Sequence, residues 1–241
     1  MCNFKKMLSL VISFIMILSL GTNLFNASVF AANDSSVEKA VFDLTSLGII
    51  EGDKDGDMGL LRPLIRAEVA AIIVRLLDLE SMISSIENIS YIDVSEDKWY
   101  TPYIKTVSNL SIMTGDGNGY FRPEDSLSYH EAVKVLVSSL GYSYPADQSG
   151  GFYEGYVKVA NDIRLLKNVS ADKEIKRQSF FVMLYNSLDI DIMLKTVNDK
   201  DEYYIDKGNT FRISLMNRMN ETLFEGKGIV TASRVSVKEP I

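Results

Sequence analysis

Between residues 66 and 77 the apolar positions fall at Val69, Ile72, Ile73, Leu76 and Leu77. That i, i+3, i+4, i+7, i+8 spacing lays one apolar stripe along an α-helix. The stripe recurs at Ala132, Val135, Leu136, Ser139 and Leu140, and again at Phe180, Met183, Leu184, Ser187 and Leu188. A second pattern precedes each one. Segments 40–52, 103–115 and 156–168 align in three apolar columns: Val41, Ile104 and Val157; Leu44, Val107 and Ala160; Leu47, Leu110 and Ile163. Each segment predicts a short amphipathic helix ending in an apolar pair. The chain thus reads as mainly α, three helix–loop–helix units in tandem. From the first helix to the second is 15 residues in units one and two and 10 in unit three.

The start of each second helix carries its own signal. Ser128 to Glu131, "SYHE", has the form of a capping box. There the serine hydroxyl accepts from an amide three residues on, and the glutamate reaches back to the serine amide. Unit one has Ile65 at the cap and keeps only Glu68, and unit three has Lys176 and Ser179 in place of both partners. Arg66 and Arg177 occupy the position just inside the helix in those two units, where unit two has Tyr129. A cation there opposes the helix macrodipole at a cost of about 0.3–1 kcal/mol. Something other than helix stability should favour it, and an anionic partner is the expectation.

The connecting loops, "GDKDGDMG" at 52–59 and "GDGNGYFRP" at 115–123, are acidic enough to suggest calcium. The register is wrong for a calcium loop: Met58 falls where the required glycine belongs, and Leu127 where the bidentate glutamate belongs. Asp55-Gly56 and Asn118-Gly119 instead read as tight turns, and no metal or other cofactor is expected.

Composition narrows the function classes. The N-terminus has Lys5 and Lys6, an uncharged apolar run, and Val29 and Ala31 at the minus 3 and minus 1 positions of a cleavage site, so residues 1–31 read as a secretory signal peptide. The competing reading is an uncleaved membrane anchor, for which the run is short. Cys2, the only cysteine, precedes the run, so an exported chain would have neither disulfide nor thiol chemistry. Cleavage would move the net charge from −7 to −9 by removing two lysines. That argues against nucleic acid and anionic membranes as partners. With His130 as the sole histidine, inside the capping box, triads and histidine-rich zinc sites are excluded, and no carboxylate pair stands out, so an enzyme is not expected.

Residues 91–140 resemble a nearly complete S-layer homology repeat. "YIDV" matches its F-x-D-V opening, Trp99 its tryptophan, "GDGNGYFRP" its G-x-x-x-G-x-F-x-P loop and "SYHE" its T-R-A-E box. Unit one resembles the repeat without its opening, with "IRAE" as the box. Unit three resembles a divergent repeat, with "GGFYEGYVKVAND" and "IKRQ". The resemblance implies repeats over 37–90, 91–147 and 148–192 in a pseudo-threefold, three-lobed bundle. It also implies non-covalent anchoring to the Gram-positive wall, through inter-repeat grooves that bind secondary polysaccharide bearing pyruvate ketals. A ketal carboxylate suits a helix N-terminus with an arginine fork.

Carried over by position, the polysaccharide-binding residues would be Arg66, Arg177, Trp99, Gly150 and Gly151, with Tyr129 and Lys176 at the corresponding places of the divergent boxes. Each has a plainer alternative: Trp99 is either a core anchor or a sugar platform, the glycine pair a linker, the arginines surface salt bridges. Ser128, Glu131 and Glu68 read as caps. The alternative function is an envelope scaffold whose decayed repeats bind protein, self-association included, and a third reading is the anchor of an enzyme. In the extension at 193–241, "EYYIDK", "TFRISL" and "GKGIVTASRVSV" alternate like short strands, a β-rich tail. N-terminal sequencing of exported protein should begin near Ala32 or Asn33, and recovery of intact Met1 in membranes would refute cleavage.

Overall fold

A computed structural model describes residues 35–85, 90–171, 173–196 and 202–225; the proposed signal peptide and "GKGIVTASRVSV" lie outside them. The described chain is mostly helical with one small sheet. Helix α1 spans 35–46, followed by α2 (Arg66–Leu76), a 3-10 turn (Glu80–Ser85), α3 (Thr101–Asn109), α4 (Tyr129–Ser139), α5 (Ser143–Gln148), α6 (Glu154–Asp162) and α7 (Arg177–Ser187). Strands β1 (Ile192–Lys195) and β2 (Tyr203–Asp206) form an antiparallel hairpin, and α8 (Phe211–Glu225) follows. Among the described residues no helix is long and apolar enough to cross a membrane.

Helices α1, α3 and α6 stop at 46, 109 and 162, four residues before the apolar pairs that the pattern alone predicts as their ends, at Ile50, Met113 and Leu166. The reason repeats in all three. Gly48, Ser111 and Arg164 are left-handed (φ 71°, 56° and 63°), and the following amide donates back to the carbonyl of Leu44, Val107 or Ala160 at 2.9, 3.0 and 2.8 Å. This helix-ending motif returns Ile49, Ile112 and Leu165 onto the core. The middle apolar column, Leu44, Val107 and Ala160, is fully buried, whereas Leu110 of the third column is exposed.

Helices α2, α4 and α7 are each 11 residues long. They bury more than the expected stripe: Ala67, Ala70 and Val74 on α2, Val133 and Val137 on α4, and Phe181 and Val182 on α7 are also inside. Helices enclosed on several sides are central ones.

What joins them is a closed ring of backbone hydrogen bonds just before each helix. Leu64 N–H donates to Ile175 O (3.3 Å), Ile175 N–H to Leu127 O (3.1 Å), and Leu127 N–H to Leu64 O (2.8 Å). All three side chains are fully buried. A second ring lies one turn outward: Arg66, Tyr129 and Arg177 donate their amides to the carbonyls of Asp125, Lys173 and Arg62 at 3.0, 3.3 and 3.1 Å. Each unit's helix start therefore donates to the next unit's approach strand, in the order one to two, two to three, three to one.

The tail departs from expectation. "EYYIDK" supplies β2, but "TFRISL" opens α8 instead of forming a strand. The Thr210 hydroxyl accepts from the Ile213 amide as a cap (3.4 Å), and the buried residues are Phe211 and Leu215, four apart, while Ile213 between them is exposed. Arg212 then bridges Asp189 beyond α7 (2.6 and 2.9 Å) and Asp43 of α1 (3.4 Å), and Arg218 pairs with Asp78 beyond α2. The tail is thus docked on units one and three. Strand β1 reaches unit two as well, since Met193 donates to Leu140 O at 2.9 Å and a Cβ on Gly141 would stand 2.0 Å from Met193 O.

Leu127→Ala should lower stability by about 2–5 kcal/mol, the usual cost of hollowing a packed leucine site. In hydrogen exchange of the parent, the Leu64, Leu127 and Ile175 amides should be among the slowest. Fast exchange at all three would mean the ring opens without global unfolding.

Candidate functional site

The capping box of α4 forms as read. Ser128 Oγ accepts from Glu131 N–H (3.3 Å), and Glu131 Oε2 accepts from Ser128 N–H (2.9 Å). On α2, Ile65 has no side-chain acceptor, so only the glutamate half survives, with Ile65 N–H donating to Glu68 Oε2 at 3.2 Å. Both glutamates also do something the sequence did not disclose: the other carboxylate oxygen faces an arginine of the preceding unit. Arg66 Nη1 donates to Glu131 Oε1 at 3.0 Å, and Arg177 Nη1 to Glu68 Oε1 at 3.2 Å.

The arginines are held on further sides. Arg66 Nε and Nη2 donate to the carbonyls of Phe121 and Thr114, both at 2.9 Å, and its guanidinium stands 4.8 Å from the Phe121 ring centre. Arg177 Nε donates to Met58 O at 2.7 Å, over the Phe181 ring at 5.0 Å. With side chains only 13% and 8% exposed, neither is a surface salt bridge. The anion that offsets the helix dipole is in the chain itself, so removing these arginines cannot be neutral for stability as dipole reasoning alone implies. It would take the guanidinium away from the Phe121 and Thr114 carbonyls or from that of Met58.

Glu68 is further gripped by Arg62 through Nη1 and Nη2. Burial pushes its carboxyl up, but Arg62, the Ile65 amide and Arg177 outweigh that and hold it below the ordinary range. Burial lowers the Arg177 guanidinium from its ordinary value, with Glu68 opposing.

Arg66 and Glu131 form part of the wall of a cleft of about 370 Å³, together with Thr114, Phe121, Lys134 and Phe152. Lys134 stands one helical turn past Glu131, its ammonium 5.4 Å from the Phe152 ring centre, and that ring is 56% exposed. Gly150 and Gly151 (φ 123° and 68°) make the turn that delivers Phe152, a more specific task than linking. Gly155, three residues past Phe152, is equally demanding, since a Cβ there would stand 2.0 Å from Ala146 O.

Trp99 is 57% exposed, edge-on to Tyr100 at 5.4 Å, which removes the core-anchor reading; it does not line this cleft. Tyr129 is half-buried beside His130, which stacks on Tyr153 at 4.0 Å, so the two-to-three junction is aromatic where the other two are charged. His130 is consequently half-buried in a stack. Lys176 is exposed, at the extended cap position of α7.

The acidic loops use their carboxylates internally. Asp53 Oδ1 accepts from the amides of Asp55 and Asp57, and Asp116 Oδ1 from those of Asn118 and Tyr120. Asp93 of "YIDV" pins the second loop by accepting from Phe121 and Arg122 N–H at 2.9 and 2.7 Å. Lys134, Phe152 and Arg62 were missed by sequence reasoning. Phe152 follows the glycine pair and Lys134 shares a helix face with Glu131, which are the signals that point to them.

Residues 90–133, holding this loop, the box and Arg66's partner Glu131, match the S-layer homology domain. The chain carries one such domain by that match. It is similar to the "Middle cell wall protein" of Brevibacillus brevis (27% identical over 78% of this chain and 18% of the relative) and to the "Surface layer protein" of Brevibacillus choshinensis (28%, 66% and 14%). It is also similar to the "Cell surface protein" of Thermoanaerobacter kivui (28%, over 94% of this chain and 31% of the relative). The chain therefore spans less than a third of the length of each.

Arg177→Ala should cost about 1.5–3 kcal/mol in chemical unfolding, the range for a charge-assisted hydrogen bond. Glu68 gives the pH signature. Its folded pKa lies below the unfolded value of about 4.3, so its stabilisation is complete above that value and fades as pH falls through the folded pKa. Melting temperature should drop on acidification below about pH 4, with a shallower drop in Glu68→Gln.

Proposed function

We propose that this chain is the wall-anchoring module of a secreted cell-surface protein, and that it holds the secondary polysaccharide of a Gram-positive cell wall non-covalently in clefts at the unit junctions. It is a cell-surface protein, in keeping with the S-layer homology domain at 90–133 and with relatives named for the cell wall, the surface layer and the cell surface. In this reading three repeats, over 37–90, 91–147 and 148–192, form a pseudo-threefold bundle around the cyclic hydrogen-bond ring. The polymer carries pyruvate ketals.

The observation that carries the proposal is the cleft at the one-to-two junction. Its lining includes the Arg66 guanidinium, Lys134 and the exposed Phe152 ring, with the Lys134 ammonium 5.4 Å from that ring's centre. An apolar ring face accepts the C–H face of a sugar, and the cations attract a ketal carboxylate. The role this reading assigns to the cleft is binding. Trp99, Gly150, Gly151, Tyr129 and Lys176 belong to the proposal as surfaces the polymer would cross.

One observation favours a second reading, a scaffold that associates through its repeats: Arg66 and Arg177 already have carboxylate partners. Sedimentation with cell-wall sacculi separates the two. The chain should co-sediment with untreated walls and lose retention once acid has extracted the secondary polymer. Lys134→Ala and Phe152→Ala should each weaken retention roughly tenfold, the size of one lost charge-assisted or aromatic contact, with circular dichroism unchanged. Equal sedimentation of both variants and of the parent with extracted walls would sink the anchor in favour of the scaffold.

A further inference from the structure

The two rings make the three junctions equivalent in backbone geometry, so their side chains can be compared place by place. At one-to-two the arginine is Arg66 and the facing carboxylate is Glu131. At three-to-one they are Arg177 and Glu68. At two-to-three the arginine place holds Tyr129, and the carboxylate place on α7 holds Ser179, which is buried. Both halves of the pair are missing together. A lone cation or a lone carboxylate at so enclosed a place would be costly, whereas the neutral combination is not.

Glu131 divides its work between its two oxygens, and Glu68 does the same between the Ile65 amide and Arg177, with Arg62 bonded to both of its oxygens. Oε2 of Glu131 closes the cap on Ser128 N–H, and Oε1 takes Arg66. Arg66 also lines the cleft, so a carboxylate entering there meets a guanidinium already bonded to Glu131. Uptake of an anion must therefore displace that bond or tolerate a second negative charge about one ion diameter away.

Building on the anchoring function proposed above, we propose that Glu131 and Glu68 are the resident counter-ions of the junction arginines and determine how strongly each junction selects an anionic ligand. The glutamates restrain binding to a carboxylate-bearing sugar, and a neutral sugar is indifferent to them. The two-to-three junction, with neither charge, takes only uncharged parts of the polymer.

Glutamine is accepted in a capping box, so Glu131→Gln removes the charge while keeping an oxygen for the Ser128 amide. The probes are the 4,6-pyruvate ketal of methyl N-acetylmannosaminide and the same glycoside without the ketal, titrated calorimetrically against the purified chain. Glu131→Gln should bind the ketal roughly tenfold more tightly than the parent, as expected when a competing charge-assisted bond is removed, with no change for the neutral glycoside. Tyr129→Arg should acquire ketal binding at the third junction, and adding Ser179→Glu should suppress it. Unchanged or weaker ketal binding by Glu131→Gln, or equal binding by Tyr129→Arg and its double variant, would overturn the counter-ion role. Failure of the parent to sediment with walls would overturn the anchoring function instead. The variant comparisons then still decide the role of the glutamates.

Discussion

Everything in this fold depends on three backbone hydrogen bonds that close on themselves through Leu64, Ile175 and Leu127. A cyclic set of donors and acceptors leaves no free edge at its centre, and each buried amide and carbonyl in it is satisfied. Because the three residues immediately precede α2, α7 and α4, the ring fixes where those helices begin and brings their N-termini together. Helix N-termini repel one another through their dipoles, so their convergence requires compensation.

That compensation is the arrangement of box glutamates and junction arginines. A glutamate in the first turn favours its own helix, and its second oxygen accepts from the guanidinium that the neighbouring helix start carries. Capping, ion pairing and inter-unit docking are therefore one network. The loops complete it with accepting carbonyls: Thr114 and Phe121 accept from Arg66, and Met58 accepts from Arg177. The aspartates Asp53, Asp93 and Asp116 keep those loops in shape by accepting backbone amides. The acidity that suggests calcium is spent on turn structure.

The tail joins the same body. Phe211 and Leu215 enter the core, and Arg212 spans Asp43 of the first helix and Asp189 beyond the last helix of unit three. The ends of the three-unit array, which the ring already holds at the centre, are thus linked a second time at the periphery.

The sequence by itself determined the local features: three matching apolar stripes, the capping box at Ser128 and Glu131, the decay of that box in the other units, and the glycine pair before Phe152. These rest on interactions between residues a few positions apart, which periodicity and spacing express directly. It also placed the arginines in the first turn and raised the expectation of an anionic partner for them. Only the tertiary structure decided which anion. Glu131 lies 65 positions from Arg66 and Glu68 109 positions from Arg177, and nothing in a linear pattern joins them until the ring sets the three helix starts side by side. The same holds for "TFRISL": its alternation is that of a strand, but docking Phe211 and Leu215 on units one and three rewards a helical period. Burial against distant segments outweighs the local pattern there.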